Sequence, residues 1–166
     1  VGTGAIGSRV AELCHLFGCE IAAYDLFPKK NAPEYLHYGT LEEVLSKSDI
    51  VTLHCPLTED SRNLINQDRI AQMKKGAILI NAARGPIVDS KALADALNSG
   101  YLRGAGVDVF EMEPPLPMDH PLLHSINTIV TPHIAFASDE SMEIRAKIVF
   151  ENIQKWMNKE QVNIIL

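Results

Sequence analysis

An α/β fold, a doubly wound parallel sheet covered by helices on both faces, is what the sequence predicts. Three observations predict it. Short apolar runs alternate with helix-period segments along the 166 residues, which is the pattern of successive βαβ units. The runs are brief and nearly continuous, as strands buried on both faces must be. A glycine-rich turn, Gly2-Thr3-Gly4-Ala5-Ile6-Gly7, opens the first helical segment.

Residues 5–17 place Ile6, Val10, Leu13, Leu16 and Phe17 at helical spacing, with Gly18 where a helix would stop. The run 20–24, ending at Asp25, predicts a buried strand. A short helix is expected over 41–48, a strand over 49–54 and a helix over 65–73. Gly76 leads into a strand over 77–81. Asp89 is placed to cap a helix that runs to about Asn98 before Gly100. A strand follows over 104–109, and the four prolines of 111–121 demand a loop. The last elements are a strand over 127–130 and a long helix over 138–157, with Ser138 as its cap.

The glycine turn matches G-x-G-x-x-G. Its first glycine permits a tight turn, its second lets the backbone approach a pyrophosphate, and its third packs helix on strand. Alone the match is weak. Asp25 strengthens it, 18 residues after Gly7 at the end of the next predicted strand, where a carboxylate accepts ribose hydroxyls. A turn-forming aspartate is the plain alternative. A carboxylate there repels a 2′-phosphate, which favours NAD over NADP, while Lys29 and Lys30 read as solvated loop charges. A strand of about 5–6 residues ordinarily precedes such a turn. The chain starts at Val1, so the first strand is expected to be truncated and the sequence to be a fragment.

Three further segments sit where doubly wound sheets bind ligands, at the carboxyl ends of strands. In His54-Cys55-Pro56-Leu57-Thr58, Pro56 stiffens a candidate wall of the nucleotide pocket, His54 reads as a hydrogen-bonded strand end, and Cys55 as a small apolar residue. In Asn81-Ala82-Ala83-Arg84-Gly85-Pro86, small residues let the chain pass a flat ring, and the arginine fork suits a carboxylate. Asp108 ends the next strand, Glu111 and Glu113 follow, and His133 comes after the last strand through Thr131-Pro132. A histidine oriented by a carboxylate can move protons near neutral pH. Glu111 reads as a loop charge, and His120 and His124 as loop histidines.

Composition excludes several classes. Apolar residues make up 46% and charged ones 22%, ordinary globular usage. The net charge of −6 disfavours nucleic acid as a partner. No apolar stretch is long enough to span a membrane. Cys14, Cys19 and Cys55 have no metal-ligand spacing and read as reduced thiols, so a cytoplasmic setting is expected and no metal.

The ordered set GTGAIG, Asp25, HCPLT, NAARGP, GAGVDVFEMEP and TPHIA resembles the nucleotide-binding domain of the D-isomer-specific 2-hydroxyacid dehydrogenases. The glycerate dehydrogenase/hydroxypyruvate reductase and phosphoglycerate dehydrogenase branches are the most similar. The resemblance covers nearly the whole chain. It implies a Rossmann domain over 1–137 and a C-terminal helix and tail over 138–166 that pack on a substrate domain largely absent from the sequence. It implies a catalytic Arg84-Glu113-His133 triad acting on a small 2-keto or 2-hydroxy acid with NAD. The implied cofactor contacts are Gly2, Gly4, Ala5, Ile6, Asp25, Cys55, Pro56, Ala82, Arg84, Asp108 and His133. A homodimer is implied for the full-length protein, and little or no activity for this fragment alone. Two alternatives stay open. One is an NAD-sensing module like the superfamily's corepressors; the other is a formate dehydrogenase-like enzyme, against which Glu113 argues because that branch pairs its histidine with glutamine.

Overall fold

A computed structural model describes residues 1–112 and 115–164. They form two compact units, Val1–His133 and Ile134–Leu166. In the first unit, α1 (Ala5–Leu16) leads to β1 (Ile21–Ala23), and β2 (Leu36–Tyr38) leads to α2 (Leu41–Lys47). Then come β3 (Ile50–Leu53), α3 (Gln67–Gln72), β4 (Ile78–Asn81), α4 (Ser90–Asn98), β5 (Gly104–Val107) and β6 (Thr128–Val130). The second unit holds one long helix, α5 (Asp139–Met157).

All strand pairs are parallel. They form two ladders, β1-β2 and β3-β4-β5-β6. Val1 and Gly2 join them. Gly2 N–H donates to Tyr24 O (2.8 Å) on one side, and His54 N–H donates to Val1 O (2.7 Å) on the other. The sheet thus winds outward in both directions from the glycine turn, with a two-residue stub at its centre. Strand β2 is an element that the sequence pattern did not indicate.

Alternate residues of the four-stranded ladder face one core. Val51, Leu53, Leu79, Ala105 and Val107 pack in a single cluster with Leu41 and Leu45 of α2, Ile70 of α3, and Leu93 and Leu97 of α4. Each large aliphatic side chain so buried contributes about 1.5–3 kcal/mol. The opposite face carries Ile50, Ile80 and Ile129, all exposed, so the expected double covering of the sheet is incomplete among the described residues.

Local chemistry sets the helix starts. Thr40 and Glu43 close a capping box on α2, and Asn66, Asp89 and Ser138 accept a backbone N–H at the starts of α3, α4 and α5. Such caps contribute about 1 kcal/mol each. Helix α5 buries no residue and exposes Ile144, Ile148, Ile153 and Trp156. No described helix is long and apolar enough to cross a membrane.

Candidate active site

Helix α1 begins differently from the other four. Its N-cap, Gly4, has no side chain to close the first turn, and that turn carries no acidic residue. Its leading N–H groups therefore remain available to an anion. The three glycines divide the work. Gly2 has φ +86°, and a Cβ there would fall 2.6 Å from Cys55 N. A Cβ on Gly7 would fall 2.0 Å from Gly2 O. At Gly4 a Cβ would meet no described atom within 4 Å, so this glycine leaves an open approach to the helix start rather than relieving a crowded one. Ala5 and Ile6 are exposed beside it. That cradle fits a dinucleotide pyrophosphate.

Asp25 lies just beyond β1 and is tied to the same turn. Its Oδ2 accepts from Thr3 N (2.5 Å) and Thr3 Oγ1 (2.9 Å), and its Oδ1 from Phe27 N (2.9 Å). Burial pushes its carboxyl up, but the bonds from Thr3 and Phe27 outweigh that and hold it below the ordinary aspartate value. A carboxylate offers about four acceptor positions, and three are filled, which leaves the Oδ1 side for a ribose hydroxyl. Tyr38, on the unforeseen β2, bonds Thr3 Oγ1 through its hydroxyl (2.8 Å). Thr3 and Tyr38 escaped the sequence reading because the bonds join residues 22 and 35 positions apart. Lys29 is not a free loop charge: its Nζ donates to Ser8 Oγ (2.7 Å).

Beyond β3, His54 Nε2 bonds Thr52 Oγ1 (3.0 Å), and burial lowers its pKa. Burial pushes the Cys55 thiol up, which keeps it protonated and unreactive. Pro56 is exposed next to it.

The turn after β4 is stapled by buried Asn81. Its Oδ1 accepts from Ala83 N (3.1 Å) and its Nδ2 donates to Arg84 O (3.0 Å). Ala82 and Arg84 are left exposed, with Arg84 Nη1 on Ala83 O (2.6 Å). Gly85 passes so close to Phe110 that a Cβ would lie 1.8 Å from that carbonyl. Asp108, buried at the end of β5, accepts from Thr131 Oγ1 (2.5 Å), which locks β5 to the segment leading to His133. His133 is half-buried and has φ 57°, the left-handed region. Arg84, Asp108 and His133 line one cleft of about 210 Å³ with Leu57, Gly85, Pro86 and residues 109–112. Glu113 lies outside the described residues.

Glu111, read as a loop charge, and His120, read as a loop histidine, bond to each other. Glu111 bridges Ser90 Oγ (2.8 Å) and His120 Nε2 (3.0 Å), and His120 is buried. Among the described residues no group of three or more His, Cys, Asp or Glu could hold a metal ion.

A glycine turn opening an uncapped helix, an aspartate beyond the next strand and a cleft at the strand ends define a Rossmann-type dinucleotide-binding domain. The chain matches a family model over residues 1–135, and it belongs to the D-isomer specific 2-hydroxyacid dehydrogenase family as its NAD binding domain. It is 37% identical over 166 residues to a hydroxypyruvate reductase of Blautia hydrogenotrophica, covering 99% of this chain and 51% of that protein. A glyoxylate reductase of Korarchaeum cryptofilum is 44% identical over 155 residues, 92% of this chain and 46% of that protein. The crystal structure of D-lactate dehydrogenase with NAD⁺ from Lactobacillus jensenii superposes with a TM-score of 0.89 at 34% identity, over 99% of this chain and 53% of that one. The chain spans about half the length of the curated relatives it matches.

Proposed function

We propose that this chain is the NAD-binding part of an oxidoreductase that moves a hydride between NAD(H) and a small D-2-hydroxy or 2-keto acid. The observation that carries the reading is the cleft in which Arg84, Asp108 and His133 meet, on the same sheet as the Gly4–Asp25 cradle.

The residues divide into two tasks. Gly2, Gly4, Ala5 and Ile6 would receive the pyrophosphate, Asp25 a ribose hydroxyl, and Cys55, Pro56 and Ala82 the walls of the nucleotide pocket. Asp108 would orient the nicotinamide amide. When bound, NADH supplies the hydride. Arg84 would hold the keto-acid carboxylate and polarise its carbonyl, and His133 would give a proton to the nascent alkoxide oxygen. Glu113 is assigned by sequence to pair with His133 and orient its ring. Preference for NAD over NADP follows from Asp25, whose depressed pKa keeps a negative charge where a 2′-phosphate would sit.

The domain assignment is 1–137 for nucleotide binding and 138–166 for packing on a substrate domain; the bare apolar side of α5 supports it. With half of a family enzyme's length, the isolated chain is expected to be inactive, because turnover needs a closed cleft that excludes water. Family resemblance supports a homodimer for the whole protein, and three free cysteines support a cytoplasmic setting.

The test is NADH oxidation by the whole protein with hydroxypyruvate and glyoxylate, followed by absorbance. Turnover with either supports the assignment; tight NADH binding without turnover of any 2-keto acid replaces it with a sensing module.

A further inference from the structure

Glu111 is gripped by both of its oxygens, and the two ties come from different elements. Ser90 is the first residue of α4, and His120 is the N-cap of the 3-10 turn Pro121–Leu123. His120 is only 4% exposed. Its Nδ1 accepts from Leu122 N–H (3.3 Å), so the ring proton sits on Nε2 and is donated to Glu111 Oε1. Burial works to raise the Glu111 carboxyl, but bonds from its own backbone, Ser90 and His120 prevail and keep it ionised.

The neighbouring Phe110 stands edge-on to the His120 ring, with centroids 5.3 Å apart at 89°. On its other side its carbonyl abuts Gly85, beside Arg84. Phe110, Glu111 and Met112 are also one wall of the cleft that holds Arg84 and His133. The carboxylate faces Ser90 and His120, which makes Glu111 a strut rather than a proton donor.

We propose that Glu111 and His120 are positioning residues of the keto-acid end of the site: they fix the 110–112 wall of the cleft that Arg84 and His133 also line. The inference rests on the function proposed above, and it assigns work to two residues outside the triad.

The experiment uses the whole protein with 2-keto acid and NADH, together with NMR order parameters at the Phe110 and Met112 amides. Glu111→Ala is expected to lower kcat by about 10- to 100-fold, since ångström-scale misplacement costs that much. NADH affinity should stay within about twofold, a far smaller change than one such misplacement causes. NMR order parameters at the two amides should fall while those of β3 and β4 hold. His120→Gln, whose amide reaches the Nε2 position, should restore most of the turnover. His120→Asn keeps the cap on Leu122 but cannot reach Glu111, and should behave like Glu111→Ala.

Unchanged order parameters at Phe110 and Met112 in Glu111→Ala overturn the proposal. So do lowered order parameters with unchanged kcat, or a matching loss of NADH affinity and turnover, which would make the pair merely structural. A wild-type protein that reduces no 2-keto acid defeats the proposed function instead, and the order parameters then decide the clamp by themselves.

Discussion

The two ends of the candidate site are built by different means. At the nucleotide end, Asp25 is held by two bonds from the turn that it serves and one from Phe27 in its own loop, and clearances of 2.0–2.6 Å enforce glycine at positions 2 and 7. Nothing there needs a ligand to complete it. At the keto-acid end, Arg84 is exposed with its guanidinium on a neighbouring carbonyl, and His133 sits in a left-handed backbone. Recognition is preorganised inside a few short segments, whereas chemistry is assembled from the ends of β4, β5 and β6.

Substitutions can break that contrast, and His133 offers the largest effect. In the whole protein His133→Ala should cut kcat about 10²–10⁴-fold, the worth of a general acid. NADH affinity should be nearly unchanged, and an equal loss in both would mean that the two ends are not separable. Arg84→Ala should raise the keto-acid KM about 10- to 100-fold, the cost of losing a charge-assisted bidentate contact; steady-state kinetics with varied keto acid reads it directly.

The glycines sharpen the nucleotide end. Gly7→Ala has no room and should cost about 1–3 kcal/mol of stability by overpacking, visible as a lower Tm. Gly4→Ala, which costs only the poorer N-cap of alanine, should lower Tm less than Gly7→Ala and weaken NADH binding about tenfold, a loss near 1.4 kcal/mol. A Tm drop in Gly4→Ala as large as that of Gly7→Ala would show that the approach is not open.

The smallest effect concerns Asp25. Tyr38→Phe removes one bond from the chain that holds it, worth about 1 kcal/mol, so NAD affinity should fall a few-fold in calorimetric titration. The same site predicts a pH dependence. Because folding lowers the Asp25 pKa, its contribution is fully present above the ordinary aspartate value and is lost only as pH falls through the depressed one. NAD affinity should therefore hold steady from neutral pH to about 5, well above the ordinary carboxylate range.

Most of the fold could be read from the sequence because its signals are local. Asp89 and Ser138 cap α4 and α5 where expected, and Gly18, at φ +86°, follows the end of α1. The strands end earlier than their apolar runs: Leu53 and Val107 close β3 and β5, and the residues after them turn toward the cleft. Strand β2 was illegible because three residues, Leu36–Tyr38, carry no period of their own and exist by pairing with β1. Glu111 and His120 were misread for a related reason. Their link spans nine positions, and the one to Ser90 twenty-one, so no spacing rule reaches them. Glu113 is assigned by motif alone.

The backbone at His133 turns its chemistry into a liability for the folded state. A side chain in the left-handed region costs about 1–2 kcal/mol that glycine does not incur, and φ 57° places His133 there. Every native interaction of the imidazole is lost equally in His133→Ala and His133→Gly, so the difference between those variants isolates that cost. His133→Gly should be the more stable by about 1 kcal/mol, measured by urea unfolding, though neither variant can donate the proton. Selection for stability alone would favour glycine at this position. Under the proposed function, the histidine marks a place where stability is traded for activity.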